Sequence, residues 1–139
     1  MEYKRFDDTI ILRLDKGDEI VESLADISKT ENIKAACFHG IGATDCFEIG
    51  VFDLEKQDYN RFAFTGNHEI TSLEGNITFV DGKPYIHAHI TCGNKDARVI
   101  GGHLFRAAIS LTGEIFISIA DGAVTREFNP EIKINRLSF

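Results

Sequence analysis

The residues with the clearest chemical content are three histidines close together in the chain. His87 and His89 lie in Tyr85-Ile86-His87-Ala88-His89-Ile90, and His103 lies in Gly101-Gly102-His103-Leu104. In an extended strand alternate side chains leave the same face, which projects His87 and His89 together. The opposite face then carries Ile86, Ala88 and Ile90, a row suited to a core. A third imidazole brought over the histidine face would complete three nitrogen ligands and leave a coordination position open. That is the composition of a catalytic rather than a structural zinc site. Neutral imidazoles also suit iron, nickel or copper, so zinc is named as the commonest choice among divalent transition metals. Gly101-Gly102 is expected to form the tight turn that delivers His103. The same residues have a plainer reading, in which His87 and His89 line a polar strand face and His103 caps a turn. A His-x-His pair alone recurs by chance.

Metal sites of this kind often carry a carboxylate as ligand, general base or orienting partner. Glu69 and Glu74 both precede the histidine strand, in an extended stretch that a hairpin would lay alongside it. They differ by an odd number of positions, so an unbroken strand shows only one of them on the histidine face. Glu69 is taken as the candidate acid/base or fourth ligand; a solvated strand carboxylate is the alternative for either. His39 and His68 read as surface or satisfied core residues. Cys37, Cys46 and Cys92 form no close Cys-x-x-Cys pair and read as small buried hydrophobes in a reducing compartment. By parity Cys92 shares the Ile86/Ala88/Ile90 face, away from the histidines.

The elements that must position these groups are mostly strands. Thr9-Ile10-Ile11-Leu12-Arg13-Leu14 alternates as a strand does and is closed by Asp15-Lys16-Gly17. Asp18 is a credible N-cap, and Ile20, Leu24 and Ile27 follow at helical spacing through 18–30. From Ile33 onward the periods are β-like. Gly40-Ile41-Gly42 is read as a tight turn between strands, since it lacks the pattern of a phosphate-binding loop. Cys46–Phe52 and Arg61–Thr65 flank a polar turn, and a long extended stretch 68–80 is interrupted at Glu74-Gly75. Asp81-Gly82-Lys83 is a hairpin signal that feeds the histidine strand 85–92. Leu104–Ala120 alternates loosely, and the tail 124–139 returns in short extended pieces. Many strands and one good helix imply a single α+β domain over 1–139, with an antiparallel sheet that is strongly bent or closed.

Composition sets outer bounds. At 139 residues, with 43% hydrophobic and 27% charged residues, the chain fits one globular domain able to bury a core. No apolar run approaches a membrane span, and residues 1–14 lack signal-peptide architecture, so a cytoplasmic protein is expected. The net charge of −7, with no Lys/Arg run longer than Lys4-Arg5, disfavours DNA as the main ligand, because non-specific DNA affinity comes from cations on phosphates.

Taken in order, several of these segments resemble the plant and prokaryote conserved (PPC) domain. They are Leu12-Arg13-Leu14-Asp15-Lys16-Gly17-Asp18, Gly40-Ile41-Gly42-Ala43, Glu69-Ile70-Thr71-Ser72-Leu73-Glu74-Gly75-Asn76, Asp81-Gly82-Lys83-Pro84, His87-Ala88-His89 and Gly101-Gly102-His103-Leu104. The resemblance runs through nearly the whole chain. It implies a bent antiparallel sheet with one main helix, a fold similar to that of acetolactate decarboxylase, and assembly as a homotrimer. It also implies a metal on His87, His89 and His103, as in some members; the open coordination position of such a site in turn suggests a small-molecule ligand. Prokaryotic members often carry a DNA-binding label, but the Arg-Gly-Arg-Pro AT-hook of the plant proteins is absent here. The label therefore comes with the family and not with residues of this chain.

Overall fold

Alternation in 9–14 buries Ile10, Leu12 and Leu14 and leaves Ile11 and Arg13 outside. In the computed structural model, which describes residues 1–139, this run is β2 (Thr9–Asp15), paired with β1 (Glu2–Phe6). The helix α1 (Ile20–Thr30) follows and buries Ile20, Leu24 and Ile27 against the sheet. Full burial of such side chains contributes about 1.5–3 kcal/mol each.

The helix cap differs from expectation. Glu19, not Asp18, accepts from the Glu22 amide at 2.7 Å, and its other oxygen accepts from the Ala107 amide at 2.8 Å. A glutamate can reach both partners, so one side chain caps the helix and docks it on the sheet. Asp18 instead accepts from the Asp15 amide and pairs with the N-terminal ammonium at 2.8 Å. Replacing Glu19 by alanine is expected to cost about 2 kcal/mol, since two backbone donors lose their acceptor. Urea denaturation checks this, with Glu19→Gln retaining most of the stability; a loss below about 0.5 kcal/mol, ordinary for a surface change, would remove the double role.

The remaining strands are longer than the sequence pattern suggests. They are β3 (Ala36–Asp53), β4 (Asp58–Val80), β5 (Lys83–Asn94) and β6 (Val99–Ile119), followed by the hairpin β7 (Thr125–Asn129) and β8 (Ile134–Ser138). All eight join one sheet, antiparallel except where β7 runs parallel to the end of β4 at Phe79. β3 pairs with β4, β4 with β5, β5 with β6, and β6 with β3, so these four close a ring. The fold is α+β, one helix against a strongly bent sheet, as the pattern implies. No helix is long and apolar enough to cross a membrane.

Gly40-Ile41-Gly42 is not a turn; it lies inside β3 at a register shift. A Cβ on Gly40 would stand 2.7 Å from the Glu114 carbonyl oxygen, and one on Gly42 would meet the Thr112 carbonyl. These glycines let β6 cross β3 closely, which is how the sheet bends without breaking the strand. The Asp81-Gly82 hairpin forms as expected, with both residues at positive φ (50° and 75°). Of the cysteines only Cys92 is fully buried, and burial pushes its thiol up to about 12; Cys37 is exposed.

Candidate metal centre

Strand parity places Ala88, Ile90 and Cys92 in the core and turns His87 and His89 to the outer face. His89 stands directly opposite His103 in the β5–β6 register. The three side chains bring one nitrogen each to within 4.8 Å of one another. Their ring centroids are 5.3 Å apart for His87–His89 and His87–His103, and 5.6 Å for His89–His103.

His103 is not delivered by a turn. Gly101, Gly102 and His103 are all part of β6. A Cβ on Gly101 would lie 2.7 Å from the Ile90 carbonyl oxygen, and one on Gly102 2.7 Å from that of Gly50. The glycines let β6 press between β5 and β3 at the seam that closes the ring, and strand pairing then sets His103 beside His89. Gly50, opposite His103, does similar work: a Cβ there would fall 2.6 Å from the Phe105 ring.

Aromatic side chains pack around His103, with Tyr59 at 4.8 Å and Phe105 at 5.0 Å between ring centroids. Arg61 lies over the Phe105 ring at 3.6 Å and pairs with Glu48 at 3.1 Å. On the other flank, Asn76 stands opposite His87 and accepts from Arg126 at 2.7 Å. Sequence reasoning missed Tyr59, Phe105, Asn76 and Arg126.

The expected carboxylate is placed elsewhere. A bulge between Ile70 and Ser72 shifts the β4 register, so both Glu69 and Glu74 reach the outer face despite their odd separation. Glu74 is the one opposite His89, whereas Glu69 is opposite Gly93, four residues and about 13 Å along the strand. Glu69 lines a polar cavity of about 360 Å³ with Lys16, Asp45, His68 and Lys95. The structure does not bring it to the histidines. His39 is exposed and stacks on Phe116, while His68 sits 2.7 Å from the Gly66 carbonyl, as befits residues outside the cluster.

Burial, then the neighbouring histidines and Arg61, hold His103 down to about 4. Burial, then Arg126 and His89, also lower His87. Neutral imidazole is the form a metal requires. His103 Nδ1 is moreover buried with no hydrogen-bond partner. Three neutral imidazoles that bring one nitrogen each within 4.8 Å of one another are a donor set that fits a transition metal.

These shifts carry a sign for stability. Between an unfolded value of 6.5 and a folded value of about 4, the unfolded state binds more protons at His103, so stability rises with pH across that window. Metal-free protein is therefore expected to lose stability as pH falls from 6.5 toward 4, with His87 acting in the same direction. Urea midpoints at pH 7 and pH 5 check this, and His103→Gln should flatten part of the slope; an unchanged slope would contradict it.

Residues 1–121 match the Plants and Prokaryotes Conserved (PCC) domain. The chain belongs to the PCC-domain family. A metal-containing protein of Archaeoglobus fulgidus is 31% identical to this PCC-domain chain, with a TM-score of 0.87 over 99% of this chain and 97% of that one. A candidate DNA-binding protein of Bacteroides thetaiotaomicron is 29% identical, with a TM-score of 0.96 over 99% and 96%. A Pyrococcus horikoshii plant- and prokaryote-conserved protein is 30% identical, with a TM-score of 0.85 over 96% and 92%. Acetolactate decarboxylase of Bacillus subtilis, at 13% identity and a TM-score of 0.60 over 91% of this chain and 58% of that one, shares the fold alone. No curated protein matches the chain.

Proposed function

We propose that this PCC-domain protein binds a divalent transition metal, zinc by preference, on His87, His89 and His103, and that it binds or transforms a small molecule there as a homotrimer. The convergence of three imidazoles from two paired strands within 4.8 Å carries the reading. The orphaned His103 nitrogen and the metal-containing relative support it. Three protein ligands leave a position open, and a bound zinc would supply a Lewis acid that polarises a carbonyl or carboxylate oxygen. The chain's own residues orient the ligands, exclude water through Tyr59 and Phe105, and keep the imidazoles neutral. His89 is exposed in the single chain, so a second copy packed on this outer face is what would wall the site. Within one chain Glu69 takes no part.

Metal analysis of protein purified without added metal tests the reading. One equivalent per chain is expected, with chelation lowering the melting temperature but not unfolding the protein at room temperature. Absence of metal, together with no uptake of zinc on addition, would overturn it. A DNA-binding module is the other reading, supported by the descriptions of relatives. Specific retention of DNA in an electrophoretic assay, falling steeply with salt, would favour it despite the charge of −7.

A further inference from the structure

Arg126 builds one flank of the histidine cluster, and what it implies rests on the metal-binding reading above. The residue comes from β7, beyond the stretch 1–121 that matches the family. Its half-buried guanidinium donates from Nε to Thr78 Oγ1 at 2.8 Å, from Nη1 to the Asn135 carbonyl at 2.9 Å, and from Nη2 to Asn76 Oδ1 at 2.7 Å. It lies 4.7 Å from the centroid of the Tyr85 ring. All three acceptors are neutral, and none of the chain's ion pairs includes Arg126. Arg61, on the opposite flank, is matched by Glu48.

A half-buried cation without a counter-charge is costly unless something anionic visits it. A guanidinium has five N–H bonds, so after three are used one remains on each Nη. Asn76 stands opposite His87, and Tyr85 precedes His87 by two residues on the same face, so the unmatched charge sits beside the cluster. The three-histidine set contains no carboxylate ligand, although Glu74 stands opposite His89 on the far side of the cluster from Tyr85. A divalent ion held by three neutral imidazoles would keep its whole charge, and Arg126 adds another beside it. On the His87 side Arg126 is the cation without a paired carboxylate, in a chain of net charge −7, and the rings of Tyr59, Tyr85 and Phe105 border the cluster.

We propose that Arg126 anchors the carboxylate of a small molecule with an apolar or aromatic body, held beside the three-histidine centre. The pair of free N–H bonds matches a two-oxygen acceptor, and the rings match the body.

Isothermal titration of zinc-loaded protein with benzoate, its neutral counterpart benzamide, and inorganic phosphate tests this. Zinc content and melting temperature of wild type, Arg126→Gln and Arg126→Lys are measured first, because Arg126 also ties the hairpin to β4. Benzoate is expected to bind wild type more tightly than benzamide or phosphate. Arg126→Gln should weaken benzoate at least about tenfold, or about 1.4 kcal/mol, and leave benzamide unchanged. Arg126→Lys should lose less, since it keeps the charge. If the glutamine variant does not fold, the lysine variant carries the comparison, with an expected several-fold loss of the benzoate preference. Zinc-loaded wild type that prefers benzamide or phosphate, or variants that hold zinc and bind benzoate as tightly as wild type, would overturn the proposal. Wild type that takes up no zinc would instead overturn the metal-binding reading.

Discussion

His103→Ala is expected to abolish metal binding while leaving the metal-free fold nearly as stable as before. His103 joins β6 to the two histidines of β5, and its Nδ1 is the buried nitrogen without a partner. Removing it leaves two imidazoles on a single strand, one of them exposed. Loss of a residue that merely orients a ligand typically costs 10–100-fold in metal affinity, so loss of a ligand itself should cost at least about a hundredfold. The stability effects separate cleanly. Wild type at a free zinc concentration about a hundred times its dissociation constant gains about 2.7 kcal/mol, whereas the variant gains almost none. In metal-free protein, truncation leaves a small void beside Tyr59 and Phe105 but also removes an unsatisfied buried group, and these oppose each other. Thermal melts with and without zinc, paired with metal analysis, read both quantities. A variant that retains stoichiometric zinc and the same zinc-dependent shift would show that the three histidines do not act as one site.

How far the site could be read ahead of the structure depended on the range of the interactions involved. His87, His89 and the inward row Ala88, Ile90 and Cys92 follow from local alternation, which a strand cannot violate. The partners on β4 were within reach as well. Asp81-Gly82 is a two-residue turn, and counting outward equally from it sets Asn76 opposite His87 and Glu74 opposite His89. The same count favours Glu74 over Glu69, and parity alone does not choose between them; Glu69 reaches the outer face only through the bulge at Ile70–Ser72, which nothing local announces. The glycines misled in one consistent way. Gly40, Gly42, Gly101 and Gly102 look like turn residues, yet each is there because a neighbouring backbone passes too close for a Cβ, a fact of tertiary structure. Phe105 follows His103 by two residues on β6 and shares its face by the same alternation, whereas Tyr59 and Arg126 come from segments far along the chain and meet the histidines only because β3 to β6 close into a ring and β7 runs beside the end of β4. The family resemblance supplied the fold that these long-range contacts build, which local periodicity could not.

Gly75→Ala makes the other large prediction, because it strikes the fold and the site together. Gly75 lies in β4, opposite Ala88, and its φ is not in the left-handed region. An alanine in such a strand would ordinarily be neutral or gain about 0.4–1 kcal/mol by restricting the unfolded chain. Here a Cβ would run into the carbonyl oxygen of His87 and the ring of Phe38. Neither can yield cheaply. The first is backbone in the β4–β5 ladder, and the second is a core side chain only 2% exposed. Overpacking of this kind should reverse the sign and cost about 2–3 kcal/mol, a fall of roughly 10 °C in melting temperature for a domain of this size. Pushing the His87 carbonyl outward also tilts its imidazole, so zinc affinity should drop by an amount that His103, on a different strand, cannot recover. Gly93→Ala is the matched control on β5, since its Cβ would meet only Thr71 Cγ2 at an ordinary 3.7 Å. Gly93→Ala should melt with wild type or slightly above it and bind zinc normally. Equal melting temperatures for the two variants would mean that β4 and β5 can part at Gly75 without strain, and that the register opposite His87 is not what holds that imidazole in place.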